Sequence, residues 1–197
     1  CQNYNEIRYL AQTHPEKFDQ SRFNILTVAR FGKEKGILRA IKAVLGLCDD
    51  FDDINYYIIG DGAQSRQAEM LVSDGKFSDS VTLLGKKENP YGYMAAADIL
   101  LIPSFSEAAP MVINESACLG TPILSTETSS AFEMIRDTGF GWVCDNSENG
   151  IRDVLRRLAA SRDEVNYKRK LLSTRRFDNA EAVKQFSELI NHNDKTD

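Results

Sequence analysis

At 197 residues, 42% of them hydrophobic and 27% charged, the chain has the size and composition of one ordinary domain with a single sizeable core. Its 24 Lys and Arg against 29 Asp and Glu leave a formal net charge of -5, and with no basic run or basic-aromatic stripe this excludes nucleic acid as the main partner. No apolar run approaches the roughly 18 residues of a membrane span and no charged-then-apolar segment opens the chain, so a protein soluble in itself and cytoplasmic is expected. Membrane contact is expected only through a further half of the molecule.

The chain opens at Cys1 and stays polar to Lys17, and residues 1–20 are expected to be a linker remnant or a helix at the start of a fragment. From Phe23 the pattern changes to "FNILTVA", a short apolar run that reads as a strand buried on both faces. The loop "RFGKEKG" follows, then "KGILRAIKAVLGLC", whose Ile37, Ile41, Val44 and Leu45 recur at helical spacing. "INYYIIG" from Ile54 is the next strand, and the "GDGAQ" after it reads as a tight strand-to-helix turn. "SVTLLG" from Ser80, "DILLIPS" from Asp98, "TPILST" from Thr121 and "GFGWVCD" from Gly139 complete six strands. Trp142 in the last of them is expected to pack the strand. Between these strands, "NPYGYMAAAD" and "PMVINESACLG" are shorter helices.

After Cys144 three polar helices are expected over "ENGIRDVLRRLAAS", "EVNYKRKLLST" and "AEAVKQFSELI", the last with an apolar stripe of Val183, Phe186, Leu189 and Ile190. Strands alternating with helices predict an α/β fold: a Rossmann-like, three-layer αβα domain with about six parallel strands. Its expected extent is 21–175, with a C-terminal helix and tail over 176–197. Cys1, Cys48, Cys118 and Cys144 show no CxxC spacing and read as reduced thiols. His14 and His192 stand alone in polar terminal segments, so no metal site is expected.

Two constellations point to chemistry. In "VARFGKEKG" the strand gives way to a loop with Arg30 and Lys35 just before a helix. Two cations would then face the C-terminal edge of the sheet, where open α/β sheets bind ligands, and a diphosphate there would meet both charges and the helix N–H groups. Arg30 can fork onto two oxygens, whereas Lys35 is a point charge. The plain alternative is a solvated turn. In "SFSEAAPMVINESACLG" Glu107 and Glu115 flank the start of a helix with Pro110 near its first position. Carboxylates accept from paired hydroxyls, and the N–H groups from Ala109 to Val112 would take phosphate oxygens. Hydroxyl-bearing sugar, diphosphate and hydroxyl-bearing ribose have that layout. The alternative is a pair of unrelated surface glutamates.

These stretches, with "IIGDG", "VTLLGKKEN", "MAAADILLIPSFSEAAPMVINESACLGTPILST" and "FEMIRDTGFGWVCD", resemble in order and spacing the group 1, family four glycosyltransferases of the GT-B fold. The resemblance runs from Phe23 to Ile190 and implies the C-terminal, donor-binding half of a retaining enzyme, with the acceptor domain in a missing N-terminal half. It implies that Arg30 and Lys35 hold the donor diphosphate, Glu107 contacts the transferred sugar and Glu115 binds the ribose. Backbone from Leu84 through Gly85 and Lys86 to Glu88 would receive the nucleobase, and amides of Ala109, Met111 and Val112 around Pro110 would complete the phosphate cradle. The family has Gly after its first Glu, where this chain has Ala108 and Ala109, and a Gly pair where this chain has Ser129 and Ser130 ahead of Glu133.

The implied substrate is a UDP- or GDP-sugar, without a metal or other cofactor, and the implied product is a glycan or lipid-linked sugar of surface polysaccharide biosynthesis. Without the missing half, little turnover is expected. A non-catalytic nucleotide-sugar-binding module, a sugar-nucleotide epimerase and a phosphorylase of the same architecture are the alternative readings.

Overall fold

The computed structural model describes residues 3–73, 76–107 and 111–177. Six strands form where the six apolar runs lie: β1 (Phe23–Val28), β2 (Ile54–Ile59), β3 (Val81–Gly85), β4 (Ile99–Ile102), β5 (Ile123–Thr126) and β6 (Gly141–Cys144). All pair in parallel, in the order β3-β2-β1-β4-β5-β6. This is the doubly wound order, whose direction of winding reverses between β1 and β4. The loops leaving those two strands diverge there and open a crevice.

The alternation of side chains along β1 explains the three layers. Phe23 and Ile25 face one core, built with α2 (Ile37–Leu47), α3 (Ser65–Ser73) and α6 (Glu148–Ala160). Leu26 faces the other, where α4 (Tyr91–Ala96) and α5 (Met111–Cys118) contribute Met94, Ile113 and Ala117. The C-terminal part of α7 (Asp163–Thr174) adds Leu172 to this second core. The helix α6 shows the local logic: Ser147 caps it by accepting from the Gly150 amide, Glu148 meets the positive end of the helix dipole, and Ile151, Leu155 and Leu158 bury one stripe.

Within residues 1–20 lies the helix α1 (Tyr4–Thr13), capped by Asn3 and docked through Ile7 and Ala11 on α4 and α5. Its end sits against Gly92, where a side chain would come within 2.1 Å of the His14 carbonyl. The 132–137 segment is a single π-helical turn, a form enriched at functional sites. Trp142 packs against the first core and gives its indole N–H to Glu164 of α7 at 2.5 Å. Cys48, Cys118 and Cys144 are free and buried. Cys1, the expected helix over 180–190 with Val183, Phe186, Leu189 and Ile190, and His192 lie outside the described residues.

Candidate functional site

Backbone geometry places Arg30 and Lys35. Beyond Val28 the Ala29 amide donates to Ile59 O at 3.0 Å and the Phe31 amide to Asp61 O at 2.9 Å, while the Gln64 amide returns to Phe31 O at 3.0 Å. This close approach needs Gly60, at φ 144: a Cβ there would stand 1.9 Å from Ala29 O. Asp61 accepts from Ser65 Oγ at 2.5 Å and the Gly62 amide at 2.7 Å, and these bonds hold its carboxyl below the usual range. "IIGDG" is thus the tight turn its sequence suggests. Lys33–Lys35 then form one 3-10 turn that ends at Gly36 in the left-handed region, φ 65. A Cβ at Gly36 would meet Pro103 O at 2.0 Å, so this turn lies directly against the loop leaving β4.

That contact brings together residues 72 positions apart. Lys35 Nζ donates to Glu107 Oε1 at 2.5 Å, and Ser104 Oγ donates to the same oxygen at 2.7 Å. The two charged side chains retain only 25% and 12% of their exposure, so solvent screens this pair less than an open surface pair. Arg30 is different: it extends into solvent with 76% of its side chain exposed, and pairs with Glu34 at 3.1 Å. The cleft between the β1 and β4 loops has a volume of about 360 Å³ and is lined by Arg30, Lys35, Ser104, Glu107, Met111 and Val112, among others. A cation reaching out, a second cation already against a carboxylate, and the first turn of α5 therefore share one wall. Such a site suits an anion linked to a hydroxyl-rich group.

The remaining predicted residues distribute around it. Lys86 lines an adjoining cleft of about 440 Å³ with Asp61 and Lys87; Val28, Ala29 and Arg30 belong to both clefts. Gly85 closes β3 at φ 68 and its carbonyl accepts from the Gly60 amide at 3.0 Å, while Leu84 packs on the second core. Glu115 lies one turn into α5, roughly 6 Å along the axis from Met111. It is not among the residues lining the Lys35–Glu107 cleft; it faces Tyr91, whose hydroxyl is pushed up by burial and then by Glu115, which accepts its hydrogen bond. Ala108, Ala109 and Pro110 lie outside the described residues.

Ser104, Arg39 and Asn146 escape a reading of the sequence. Ser104 orients Glu107, as above. Ser129 and Ser130, standing where the family has glycines, reach the Glu107 carbonyl at 2.9 and 3.4 Å. Arg39 and Asn146 tie together the loops beneath. The spacing Ser-x-x-Glu after a strand is a signal for the first; the others depend on contacts made across the chain. Among the described residues no group of three His, Cys, Asp or Glu could hold a metal ion, and no helix is long and apolar enough to cross a membrane.

An open parallel sheet with this cleft at its switch point defines a doubly wound α/β domain of the ligand-binding kind. Residues 11–171 match the model of the group 1 glycosyl transferases, and the chain belongs to that family. It is 31% identical over 167 residues to the amylovoran biosynthesis glycosyltransferase AmsK of Erwinia amylovora, covering 77% of this chain and 41% of AmsK. Against the putative colanic acid biosynthesis glycosyltransferase WcaL of Escherichia coli the identity is 29%, over 74% of this chain and 37% of WcaL. The chain thus spans about two fifths of these curated relatives.

Among solved structures, Anabaena HepE in complex with UDP superposes with a TM-score of 0.75 at 16% identity, over 97% of this chain and 54% of HepE. The lipopolysaccharide-biosynthesis glycosyltransferase WaaG gives 0.68 at 23%, over 89% and 48%. The pneumococcal O-GlcNAc transferase GtfA, in complex with UDP and GlcNAc, gives 0.72 at 19%, over 89% and 37%. These likenesses show the fold, that of one Rossmann-like half of the GT-B glycosyltransferases.

Proposed function

We propose that the chain is the donor-binding half of a retaining glycosyltransferase that moves a sugar from a UDP- or GDP-sugar to a glycan or lipid-linked acceptor in surface polysaccharide biosynthesis. The observation that carries this reading is the convergence of Arg30, Lys35 and Glu107 on one cleft at the switch point. The setting is supported by the relatives named for amylovoran and colanic acid biosynthesis, and a uridine diphosphate by neighbours solved with UDP, HepE and GtfA among them.

Sugar transfer develops positive charge at the anomeric carbon while the leaving diphosphate gains negative charge. Arg30, swinging from Glu34, and Lys35 meet that diphosphate together with amides at the start of α5, in the place where other transferases use a metal ion. Glu107, held by Ser104, accepts from sugar hydroxyls, and its proximity to Lys35 couples the sugar and diphosphate positions. Glu115, steadied by Tyr91, takes the ribose hydroxyls, and the 84–88 loop takes the base. The acceptor and its domain belong to the remainder of the enzyme, and the chain alone turns over little.

Calorimetric titration with UDP, GDP, ADP and their sugars tests this. Saturable binding of one base is expected, weakened by about 1.5 to 3 kcal/mol in Arg30→Ala, the worth of a charged hydrogen bond, and weakened also in Glu115→Ala. A folded chain that binds none of them contradicts the reading.

A further inference from the structure

We propose that Arg39, which lies behind the cleft wall on α2, is a positioning residue that holds the Glu107 loop in its sugar-contacting arrangement; this rests on the function proposed above. Arg39 is a buried guanidinium whose hydrogen-bond partners among the described residues are all neutral. Its Nε and Nη2 donate to Pro103 O at 2.9 and 2.6 Å, Nη2 also to Asn146 Oδ1 at 2.7 Å, and Nη1 to Asn146 O at 3.1 Å. The Phe105 ring lies over the guanidinium, 3.7 Å from ring centroid to Cζ. Burial pushes its pKa down, with Cys144 nearby acting in the opposite direction, and among the described residues no carboxylate pairs with it.

A charge held in this way costs folding free energy unless dipoles solvate it, and here backbone carbonyls at the C-terminal ends of the strands do so. What the arrangement achieves is geometric. Pro103 and Phe105 bracket Ser104, the donor to Glu107. Asn146 donates onward to Phe105 O at 3.0 Å and Glu127 O at 2.8 Å, and Thr126 Oγ1 donates to Ser104 O at 2.5 Å. The Phe105 amide closes the frame on Glu34 O at 2.8 Å, next to Lys35. One planar fork therefore fixes the loops leaving β4, β5 and β6 relative to the start of α2. Lysine cannot make this set of bonds, since one ammonium cannot reach Pro103 and both Asn146 acceptors in the plane of the fork.

Arg30 and the 84–88 loop stand on other supports, built from backbone bonds to the Gly60–Gly62 turn. Loss of the fork should then affect sugar recognition more than nucleotide recognition. The test titrates UDP, UDP-glucose and UDP-N-acetylglucosamine into the wild-type chain, Arg39→Lys and Asn146→Ala, with thermal melts to confirm folding. Asn146 is exposed and lies off the cleft wall, so its variant keeps the experiment decisive if Arg39→Lys does not fold.

For whichever UDP-sugar the wild type binds, both variants are expected to raise the ratio of its Kd to that of UDP by roughly tenfold, the penalty of a misplaced contact group, with the UDP value itself kept within about twofold. An unchanged ratio overturns the inference, as does equal weakening of UDP and UDP-sugar, which would mark Arg39 as merely structural. Failure of the wild type to bind any of the three would instead contradict the proposed donor site itself.

Discussion

The two halves of the sheet's C-terminal edge are built by different means. On the β1-β2-β3 side the loops are joined by backbone hydrogen bonds, Ala29 to Ile59, Phe31 to Asp61 and Gly60 to Gly85, and glycines make room for them. On the β4-β5-β6 side backbone bonds are also present, the Glu127 amide to Cys144 O and the Phe105 amide to Glu34 O, but most of the ties between loops run through side chains: Arg39, Thr126, Asn146 and Ser104. Backbone stitching tolerates most substitutions but fails where a Cβ enters. A side-chain frame can be altered one residue at a time, and this is the side that carries Glu107. The half that would hold the nucleotide is thus stitched mainly through backbone, and the half that would discriminate the sugar mainly through side chains.

Gly60→Ala should break the first half most severely. The new Cβ would fall 1.9 Å from Ala29 O at φ 144, and a cost of about 3 kcal/mol or more is expected in urea unfolding. Destabilisation under about 1 kcal/mol would mean that the β1 loop shifts freely, and the contrast between the halves would fall.

A smaller effect should appear across the seam. Lys35→Met leaves the Glu107 carboxylate, 12% exposed, with Ser104 as its remaining side-chain donor among the described residues. A cost of about 1 to 2 kcal/mol is expected, largely recovered when Glu107→Gln is added, because removal of one partner strands the other charge. Additive costs would show that the two groups do not act as a pair.

The mildest effect is alkaline. Burial pushes the Cys118 thiol up to about 11 and Cys144 to about 12, both in the β4-β5-β6 half. Their folded values lie above those of the unfolded chain, so their contribution to stability is complete below about pH 8.5, the ordinary thiol value, and is lost as pH rises through 11 and 12. Unfolding free energies measured upward from pH 8 should decline more in wild type than in Cys144→Ala. Equal declines would locate the alkaline sensitivity elsewhere.

β1 and β4 were legible because they are apolar almost throughout, as burial on both faces requires, and the strand order follows the doubly wound rule. The helix α3 was not, since Ala68 is its one buried residue and its pattern is correspondingly weak. The helix α1 has only two buried residues, Ile7 and Ala11, to give it a face, so its segment reads from sequence as linker or helix alike. Arg30, Lys35 and Glu107 could be singled out because each follows a strand closely. Arg39 could not: a charged residue in a helical period usually faces solvent, and its partners lie 64 and 107 residues away. Glu115 was legible as a helix residue but not in its companion, Tyr91, which only the packing of α4 beside α5 supplies.

The most direct test is amide NMR of the labelled chain during titration with UDP. Shifts are expected in residues 29–36, 84–88, 104–107 and 111–112 at the strand C-terminal ends, with silence at Phe23, Ile54 and Ile99 where the same strands begin. Shifts confined to that opposite edge, or none with UDP in large excess, would contradict a donor site at the switch point.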